Sequence, residues 1–302
     1  MKTESPVVSI GLPVYNGERF VSEAIQCVLE QTFSDWELII CDNASTDRTV
    51  EICRQFAERD SRIRIHQNAR NMGVCFNYSE VFRLSRGRYF KWMAHDDLFA
   101  PRFIETCVNE LEKDRGVVLA FSKMCYVDAN GQMLRRQTSE LSVSGLTVES
   151  RAKQFLASAA QSTDFLWLAY GVVRHDVLLE SGSMGLYAGS DHVMLFRIAL
   201  RGRVKEIEEE MFFRREHSEA STCKRGSTVR ERAKFAYADD NRRLVLPWCR
   251  MLKEHIGAAL KAPVPFQSKL TCASAVLRRF LTAWKFFVEE AIHSPLDALR
   301  SK

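Results

Sequence analysis

Apolar strands alternate with amphipathic helices through the first part of this 302-residue chain, and that alternation restricts the fold more than any other feature. Short apolar runs at 7–12, 36–41, 63–65 and 89–93 are typical of strands buried in the centre of a sheet. Between them, apolar residues recur every three or four positions, as on the buried face of a helix. Strands joined by helices in this way predict βαβ units, and therefore an α/β fold with a mostly parallel, doubly wound sheet.

Acidic residues follow two of these strands at the point where each strand ends. Asp42 follows the second strand, and Asp96 and Asp97 come shortly after the fourth. Because the carboxyl ends of parallel strands meet at one edge of the sheet, where α/β folds bind ligands, we expect these carboxylates to cluster.

Two adjacent carboxylates repel each other, and a divalent cation would offset that repulsion. Mg²⁺ and Mn²⁺ prefer carboxylate oxygens and commonly share substrate phosphates. Neither G-x-G-x-x-G nor G-x-x-x-x-G-K-[ST] occurs in the chain, so we expect a metal, not a glycine-rich loop, to hold any bound phosphate. A solvated acidic turn before Pro101 is the simpler alternative.

The cysteines and the N-terminal residues indicate the cellular compartment of the protein. The nine cysteines are an odd number and include no C-x-x-C pair, which predicts reduced thiols and argues against a disulfide framework or a zinc site. The first residues lack the apolar segment of a signal peptide, and no run of about 18 apolar residues occurs. These features predict a cytoplasmic location.

Candidate catalytic groups also occur in the second half of the chain. Asp191 stands at the start of a strongly apolar helical pattern. It is either an acid stabilised by the helix dipole or a general base in the wall of a pocket. The apolar segment 165–173 is expected to line the second half of that pocket. His217 follows two predicted short strands, 204–207 and 211–213, and is either a surface or capping histidine or a ligand.

Helical patterns and basic residues dominate the C-terminal part. From Lys224 to the end there are 16 Lys and Arg against 7 Asp and Glu. We expect a catalytic domain over 1–227 and a basic helical extension over 228–302, with a break near Pro263 and Pro265.

The last predicted helix has one apolar face. That face is formed by Leu277, Phe280, Leu281, Trp284, Phe287, Val288, Ala291 and Ile292. It either packs on the domain or on another subunit, or it lies on an anionic membrane, for which Trp, Phe and basic neighbours are suited. A peripheral contact at the inner face of a membrane is therefore one expectation, and nucleic acid is not an expected partner.

Four segments in a fixed order carry a resemblance to a known family. They are VSIGLPVYNG at 8–17, QTF at 31–33, DNASTD at 42–47 and HDD at 95–97. Together they closely resemble the family 2 glycosyltransferases of the GT-A fold, over roughly residues 7–217. The metal-binding motif of the family is commonly Asp-x-Asp, whereas this chain has His-Asp-Asp at the matching position.

The resemblance implies an inverting transferase that uses a nucleotide-diphospho-sugar together with Mn²⁺ or Mg²⁺. At matching positions, Asp191 corresponds to the catalytic base, Asp97 to the metal ligand, and His217 to a polar group near the metal or diphosphate. The positions matched to the nucleotide site are Pro13, Tyr15, Glu18, Asp42, Asn71, Asn77 and, nearer the ribose, Asp96. A carboxylate at Asp42 suits the N3–H of uracil or thymine, which favours UDP- or dTDP-sugars.

Transfer of a single sugar is expected, because the Q-x-x-R-W motif of processive synthases is missing. By analogy, the acceptor is a glycan or lipid-linked saccharide in bacterial cell-surface polysaccharide or glycolipid synthesis. Two other interpretations are a nucleotide-sugar-binding scaffold without catalysis and a nucleotidyltransferase. The latter usually needs a glycine-rich basic loop where this chain has PVYN at 13–16.

Overall fold

The computed structural model describes residues 5–137, 143–161, 163–218, 220 and 246–288. The strands in these ranges are β1 (Val8–Val14), β2 (Trp36–Asp42), β3 (Ile63–Gln67), β4 (Tyr89–Trp92), β5 (Leu98–Phe99), β6 (Val117–Val127), β7 (Met133–Arg136), β8 (Val172–Arg174) and β9 (Arg203–Arg215). The α-helices are α1 (Val21–Leu29), α2 (Thr49–Ala57), α3 (Val74–Arg83), α4 (Phe103–Lys113), α5 (Val148–Gln161), α6 (His175–Ser181), α7 (Ser190–Arg201), α8 (Pro247–Lys261) and α9 (Phe266–Thr282). A 3₁₀ helix spans Thr163–Tyr170.

The described strands form one sheet in the order β3-β2-β1-β4-β8-β6-β9-β5, with β7 paired to β6. Strands β1 to β4 are parallel, and Val8 of β1 is in register with Trp36 of β2 and Tyr89 of β4. Strand β8 lies between β4 and β6 and is antiparallel to both, whereas β6 and β9 are parallel. The predicted α/β fold with a mostly parallel sheet is confirmed, and the ends of β1, β2 and β4 meet at one edge.

The two short strands predicted at 204–207 and 211–213 form the single strand β9, so that prediction is wrong. Strand β9 pairs with β6 along its length, and the register shifts on both sides of Lys123. The shift occurs beside the acidic run 208–210, which looks like a turn in the sequence, and Lys123 forms an ion pair with Glu208. Backbone hydrogen bonds to a neighbouring strand keep this polar segment extended.

Helix α3 approaches β1 closely because Gly11 has no side chain. A Cβ at Gly11 would lie 2.7 Å from Cγ2 of Val81 and 2.8 Å from Cζ of Phe90. The close packing brings the first half of α3 over the carboxyl edge of the sheet. There Nδ2 of Asn77 donates to the carbonyl of Cys41 at 2.8 Å, which ties the helix to the end of β2.

The C-terminal helices pack on the body of the protein. Helix α8 ends at Lys261 and α9 begins at Phe266, so the break predicted near Pro263 and Pro265 is confirmed. Helix α8 packs against α7, and α9 packs against α5. The predicted boundary between 227 and 228 lies outside the described residues. In the part of the chain that the structure describes, no helix combines the length and apolar character needed to cross a bilayer.

The apolar face predicted on the last helix is divided between interior and surface. Phe280 is buried, whereas Leu281 and Trp284 are 72% and 64% exposed. Packing on the protein itself therefore accounts for only part of this face. Ala291 and Ile292 lie outside the described residues.

A buried arginine holds α7 against α5. The guanidinium of Arg151, on α5, donates to the carbonyls of Ala199 at 2.8 Å and Leu200 at 3.3 Å. It also donates to the carbonyls of Gly145 at 3.2 Å and Leu146 at 3.0 Å. The last carbonyls of a helix have no intrahelical donor, so Arg151 satisfies the end of α7 and fixes its position.

Two histidines join α7 to α8. Nδ1 of His192 lies 2.8 Å from Nε2 of His255, and Nδ1 of His255 lies 2.7 Å from the carbonyl oxygen of Met251. Since a carbonyl only accepts, Nδ1 of His255 carries its hydrogen and Nε2 accepts from His192, which requires His255 to be neutral. Burial lowers the pKa of His255 to about 4. Burial and the positive fields of His255 and Arg279 lower the pKa of His192 well below its ordinary value.

We expect the protein to lose stability as the pH falls from about 6.5 to about 4, because the unfolded chain binds a proton at His255 that the folded chain excludes. His255→Gln removes this titration and keeps a polar side chain. Between pH 7 and pH 5, the free energy of unfolding of the variant should fall by about 2 kcal/mol less than that of the wild type. Urea unfolding at both pH values measures the difference, and equal losses in the two proteins would contradict it.

Candidate active site

A cavity of about 1250 Å³ lies at the carboxyl edge of the sheet, over the ends of β1 and β4. Its walls contain all the predicted site residues except Glu18 and Asp42: Pro13, Tyr15, Asn71, Asn77, Asp96, Asp97, Asp191 and His217. The segment 165–173, predicted to line the second half of a pocket, contributes Phe165, Leu166, Trp167, Ala169 and Tyr170. That prediction is confirmed for 165–170, whereas Val172 and Val173 are buried in β8.

The turn after β4 holds the paired carboxylates, and a buried arginine fixes it. The backbone N–H of Arg215 donates to Oδ1 of Asp97 at 3.0 Å, and Nε of Arg215 donates to the carbonyl of Asp96 at 3.0 Å. The same guanidinium donates to the carbonyl of Ala129 at 2.6 Å and to the carboxylate of Glu23 at 2.7 Å. Arg215 therefore ties the turn to β9, to the β6–β7 hairpin and to α1.

The two carboxylates have opposite pKa shifts. Burial, and then the negative charge of Asp96, raise the pKa of Asp97 to about 7. Burial would also raise the pKa of Asp96, but the hydrogen bond from His217 and the fields of His95 and His217 lower it below its ordinary value. Asp96 is the carboxylate that stays ionised, and the charge of Asp97 is costly without a further cation.

His217 lies beside Asp96. Its Nε2 is 3.0 Å from Oδ2 of Asp96, and its ring packs on that of Phe20 with the centroids 4.6 Å apart. In the described ranges, no three acidic, histidine or cysteine side chains converge into a complete metal site. A cation here would therefore take part of its coordination from a ligand.

An asparagine network forms the neighbouring wall. Nδ2 of Asn43 donates to Oδ1 of Asn71 at 2.9 Å. Nδ2 of Asn68 donates to Oδ1 of Asn43 at 3.0 Å and to Oδ1 of Asn77 at 3.2 Å. The resemblance predicts Asn71 and Asn77 near the nucleotide, and that role stays a prediction; Asn43 and Asn68 were not predicted. Their position directly after β2 and β3 is the signal that would have found them.

Asp42 and Glu18 are not part of the cavity wall. Asp42 is buried, and its carboxylate oxygens accept the N–H of Ser45 at 3.1 and 3.3 Å. Oε2 of Glu18 accepts the N–H of Arg48 at 2.9 Å, at the start of α2. Both acids hold the loop between β2 and α2, and the nucleotide contacts predicted for them stay predictions.

Asp191 begins α7 at the cavity wall. Gly189, two residues earlier, has a φ of +82°, which favours glycine. A Cβ there would lie 2.5 Å from Sδ of Met251 on α8, so that side chain would have to move. Oδ1 of Asp191 accepts the N–H of His192 at 2.9 Å. The residue is in the first turn of a helix and in the wall of the cavity, so both features that the sequence suggested are present.

Lys91 lies beneath the cavity and gave no sequence signal, and neither did the pairing of Tyr78 with Tyr170. Lys91 is fully buried, its Nζ donates to the carbonyl of Tyr170 at 2.6 Å, and burial lowers its pKa to about 8. Its ammonium lies 4.5 Å from the ring centroids of Phe99 and of Phe103. The hydroxyls of Tyr78 and Tyr170 are 3.1 Å apart, and both residues line the cavity. They add polar groups close to the paired carboxylates.

The sequence is similar to known glycosyltransferases. The sequence profile described as Glycosyl transferase family 2 matches residues 9–168. EpsE of Bacillus subtilis (strain 168), which its name assigns to the glycosyltransferases, is 28% identical over 280 residues. That alignment covers 92% of this chain and 91% of EpsE.

Two solved structures share the fold. Residues 1–349 of S. aureus TarS, in complex with UDP-GlcNAc, align with a TM-score of 0.64 and 14% identity over 91% of this chain and 72% of that chain. The mannosyltransferase PcManGT from Pyrobaculum calidifontis, in complex with GDP-Man and Mn²⁺, aligns with a TM-score of 0.53 and 16% identity over 98% of this chain and 88% of that chain. The structural likeness concerns the fold, which is the GT-A fold. Since the family profile matches more than half of the sequence, the chain belongs to glycosyl transferase family 2.

Proposed function

We propose that the protein transfers one sugar from a UDP- or dTDP-sugar to an acceptor hydroxyl, with inversion at the anomeric carbon. One observation carries the proposal: Asp191 lines the same cavity as Asp96 and Asp97. A direct displacement needs a base for the acceptor hydroxyl and a site that stabilises the departing diphosphate. The nucleotide-sugars bound to TarS and PcManGT support a nucleotide-diphospho-sugar donor, and the UDP-GlcNAc of TarS supports UDP as its nucleotide.

The paired carboxylates fit a divalent cation, Mn²⁺ or Mg²⁺. Asp97 is buried beside a second carboxylate, and a cation would favour its ionised form. Carboxylate and phosphate oxygens are the ligands that these ions prefer, and PcManGT was solved with Mn²⁺. We assign Asp97 as the protein ligand, with His217 close by through its contact with Asp96. A bound cation would supply positive charge to the diphosphate leaving group.

The nucleotide is proposed to lie against Pro13, Tyr15, Asn71 and Asn77, with Asp96 near the ribose. These residues all line the end of the cavity that borders the strands. The carboxylate of Asp42 can accept the N3–H of uracil while it keeps the N–H of Ser45, because its two oxygens offer about four acceptor sites. The contact requires the buried side chain of Asp42 to become accessible from the cavity. Glu18 supports this loop through the N–H of Arg48.

Asp191 is proposed as the base that takes the proton of the acceptor hydroxyl. Its Oδ1 accepts the N–H of His192, which orients the carboxylate and leaves Oδ2 for the hydroxyl. The Asp191→Asn variant should bind UDP normally and transfer at least about 100-fold more slowly, because a general base contributes on this scale. The readouts are calorimetry with UDP and the rate of sugar transfer.

Asp176→Asn is the matched control for Asp191→Asn. Asp176 is an exposed acid in the first turn of another helix, α6, and its Oδ1 also accepts the N–H of the next residue, at 2.8 Å. It should transfer at the wild-type rate. An unchanged rate in Asp191→Asn would refute the assignment of the base.

Asp97→Asn tests the donor half of the site. Wild-type protein should bind UDP or dTDP more tightly with Mn²⁺ than without it. In the presence of Mn²⁺ it should bind GDP more weakly than UDP or dTDP. The variant should lose the gain from Mn²⁺, since an amide is a poor ligand for a hard cation while its oxygen can still accept the N–H of Arg215. Calorimetric titration measures both effects. Binding that is independent of Mn²⁺ in the wild type would exclude the metal assignment. Release of pyrophosphate from UTP in the presence of a sugar 1-phosphate would indicate a nucleotidyltransferase.

The exposed side of α9 and of the following turn is proposed to contact an anionic membrane. Exposed apolar side chains recur there at helical spacing: Phe266, Leu270, Leu277, Leu281, Trp284 and Val288. Lys269, Arg278 and Lys285 lie between them in the sequence. Apolar and aromatic groups beside basic ones suit the headgroup region of a bilayer.

Replacing Leu281 and Trp284 together by Glu should reduce co-sedimentation with phosphatidylglycerol vesicles at least about fivefold, because two large apolar contacts are replaced by like charges. Leu179→Glu is the control, since Leu179 is 64% exposed on a different helix, α6. It should leave co-sedimentation unchanged. A wild-type dimer that dissociates in the double variant, with no vesicle binding in either protein, would indicate a subunit contact instead.

A further inference from the structure

We propose that α5, the 3₁₀ helix, α8 and α9 form a binding subsite for an acceptor whose sugar is joined through a phosphate to an apolar chain. The inference rests on the proposed function, because it assigns the acceptor side of the same cavity. It adds Arg279 as the residue that binds the phosphate.

The acceptor end of the cavity is apolar. Its wall is formed by Leu156, Ala159, Phe165, Leu166, Met251 and Phe280, which come from these four helices. A glycan needs hydrogen-bond partners for its hydroxyls along most of its length, and such a wall offers few. The wall instead suits an apolar group.

The apolar wall directly adjoins the proposed base. Sδ of Met251 lies where a Cβ of Gly189 would be, two residues before Asp191. The ring of His192, the next residue, packs on that of Phe165 with the centroids 4.9 Å apart. An acceptor hydroxyl at Asp191 would therefore have the rest of its molecule against this wall.

One cation lies within the apolar end. Arg279, on α9, is half-buried and lines the cavity beside Phe280. Among the described residues, its guanidinium has no hydrogen-bond acceptor and no carboxylate within salt-bridge distance. Burial lowers its pKa. The ring of the adjacent Phe280 packs on that of His255 with the centroids 5.4 Å apart, and His255 bonds to His192 at the start of α7.

Because no described residue satisfies it, the half-buried guanidinium of Arg279 favours an anionic ligand. Its planar fork of N–H donors matches a phosphate, and such charge-assisted hydrogen bonds are stronger where water is displaced. A phosphate at Arg279 and an apolar group on the neighbouring wall, with a hydroxyl at Asp191, together define an amphiphile. A sugar linked through phosphate to a lipid chain has these three parts.

Calorimetry with three small probes tests the subsite in the full-length protein saturated with UDP and Mn²⁺. Monooctyl phosphate combines the anion and the apolar chain, octyl glucoside has the chain with a neutral sugar, and inorganic phosphate has the anion alone. Monooctyl phosphate should bind at least about tenfold more tightly than either of the others. Arg279→Gln should weaken its binding by about tenfold or more, the scale of a lost charge-assisted hydrogen bond.

Arg278→Gln is the matched control, because Arg278 is exposed on the same helix and does not line the cavity. It should bind monooctyl phosphate like the wild type, and Arg279→Lys should retain part of the affinity. Equal binding by Arg279→Gln and wild type would overturn the proposal, and so would octyl glucoside or inorganic phosphate binding as tightly as monooctyl phosphate. UDP binding without any binding of monooctyl phosphate overturns the subsite alone, whereas loss of UDP binding in the wild type overturns the proposed function.

Discussion

The buried guanidinium of Arg215 fixes the turn on which the candidate site depends. Two adjacent acids at the end of a strand repel each other, and the turn that carries them would otherwise open. The three guanidinium nitrogens of Arg215 donate hydrogen bonds to this turn, to the β6–β7 hairpin and to α1. Its backbone N–H donates to the carboxylate of Asp97. Strand β9 reaches this point because it stays paired with β6 as far as Arg215.

The electrostatics of the site follow from that arrangement. Burial disfavours the ionised form of both carboxyl groups. The hydrogen bond from His217 lowers the pKa of Asp96, so Asp96 stays ionised, whereas the pKa of Asp97 is raised. Lys91 lies below in an aromatic cage, where its bonds to backbone carbonyls hold the ammonium. One carboxylate of the site is readily ionised and the ionisation of the other is unfavourable. Such a site is suited to a ligand that brings positive charge, such as a metal ion with a nucleotide diphosphate.

The C-terminal helices belong to the same cavity as the sheet. Composition separates the basic extension from the rest of the chain, yet Met251 packs on Gly189 and His255 bonds to His192, on either side of Asp191. From the opposite side, Arg151 holds the end of α7 against α5. The position of the proposed base is therefore determined jointly by α5 and by the C-terminal helix α8.

The architecture, and the acids at the ends of strands and helices, could be predicted from the amino-acid sequence. Buried strands alternating with amphipathic helices allow few other folds, and Asp96, Asp97 and Asp191 follow strand or helix boundaries that local patterns reveal. Tertiary structure decided the rest. The continuity of β9 depends on hydrogen bonds to β6, and Arg215, Lys91 and Arg279 are ordinary charged residues in the sequence. Their roles come from burial and from partners far away in the chain, which no local pattern of residues encodes.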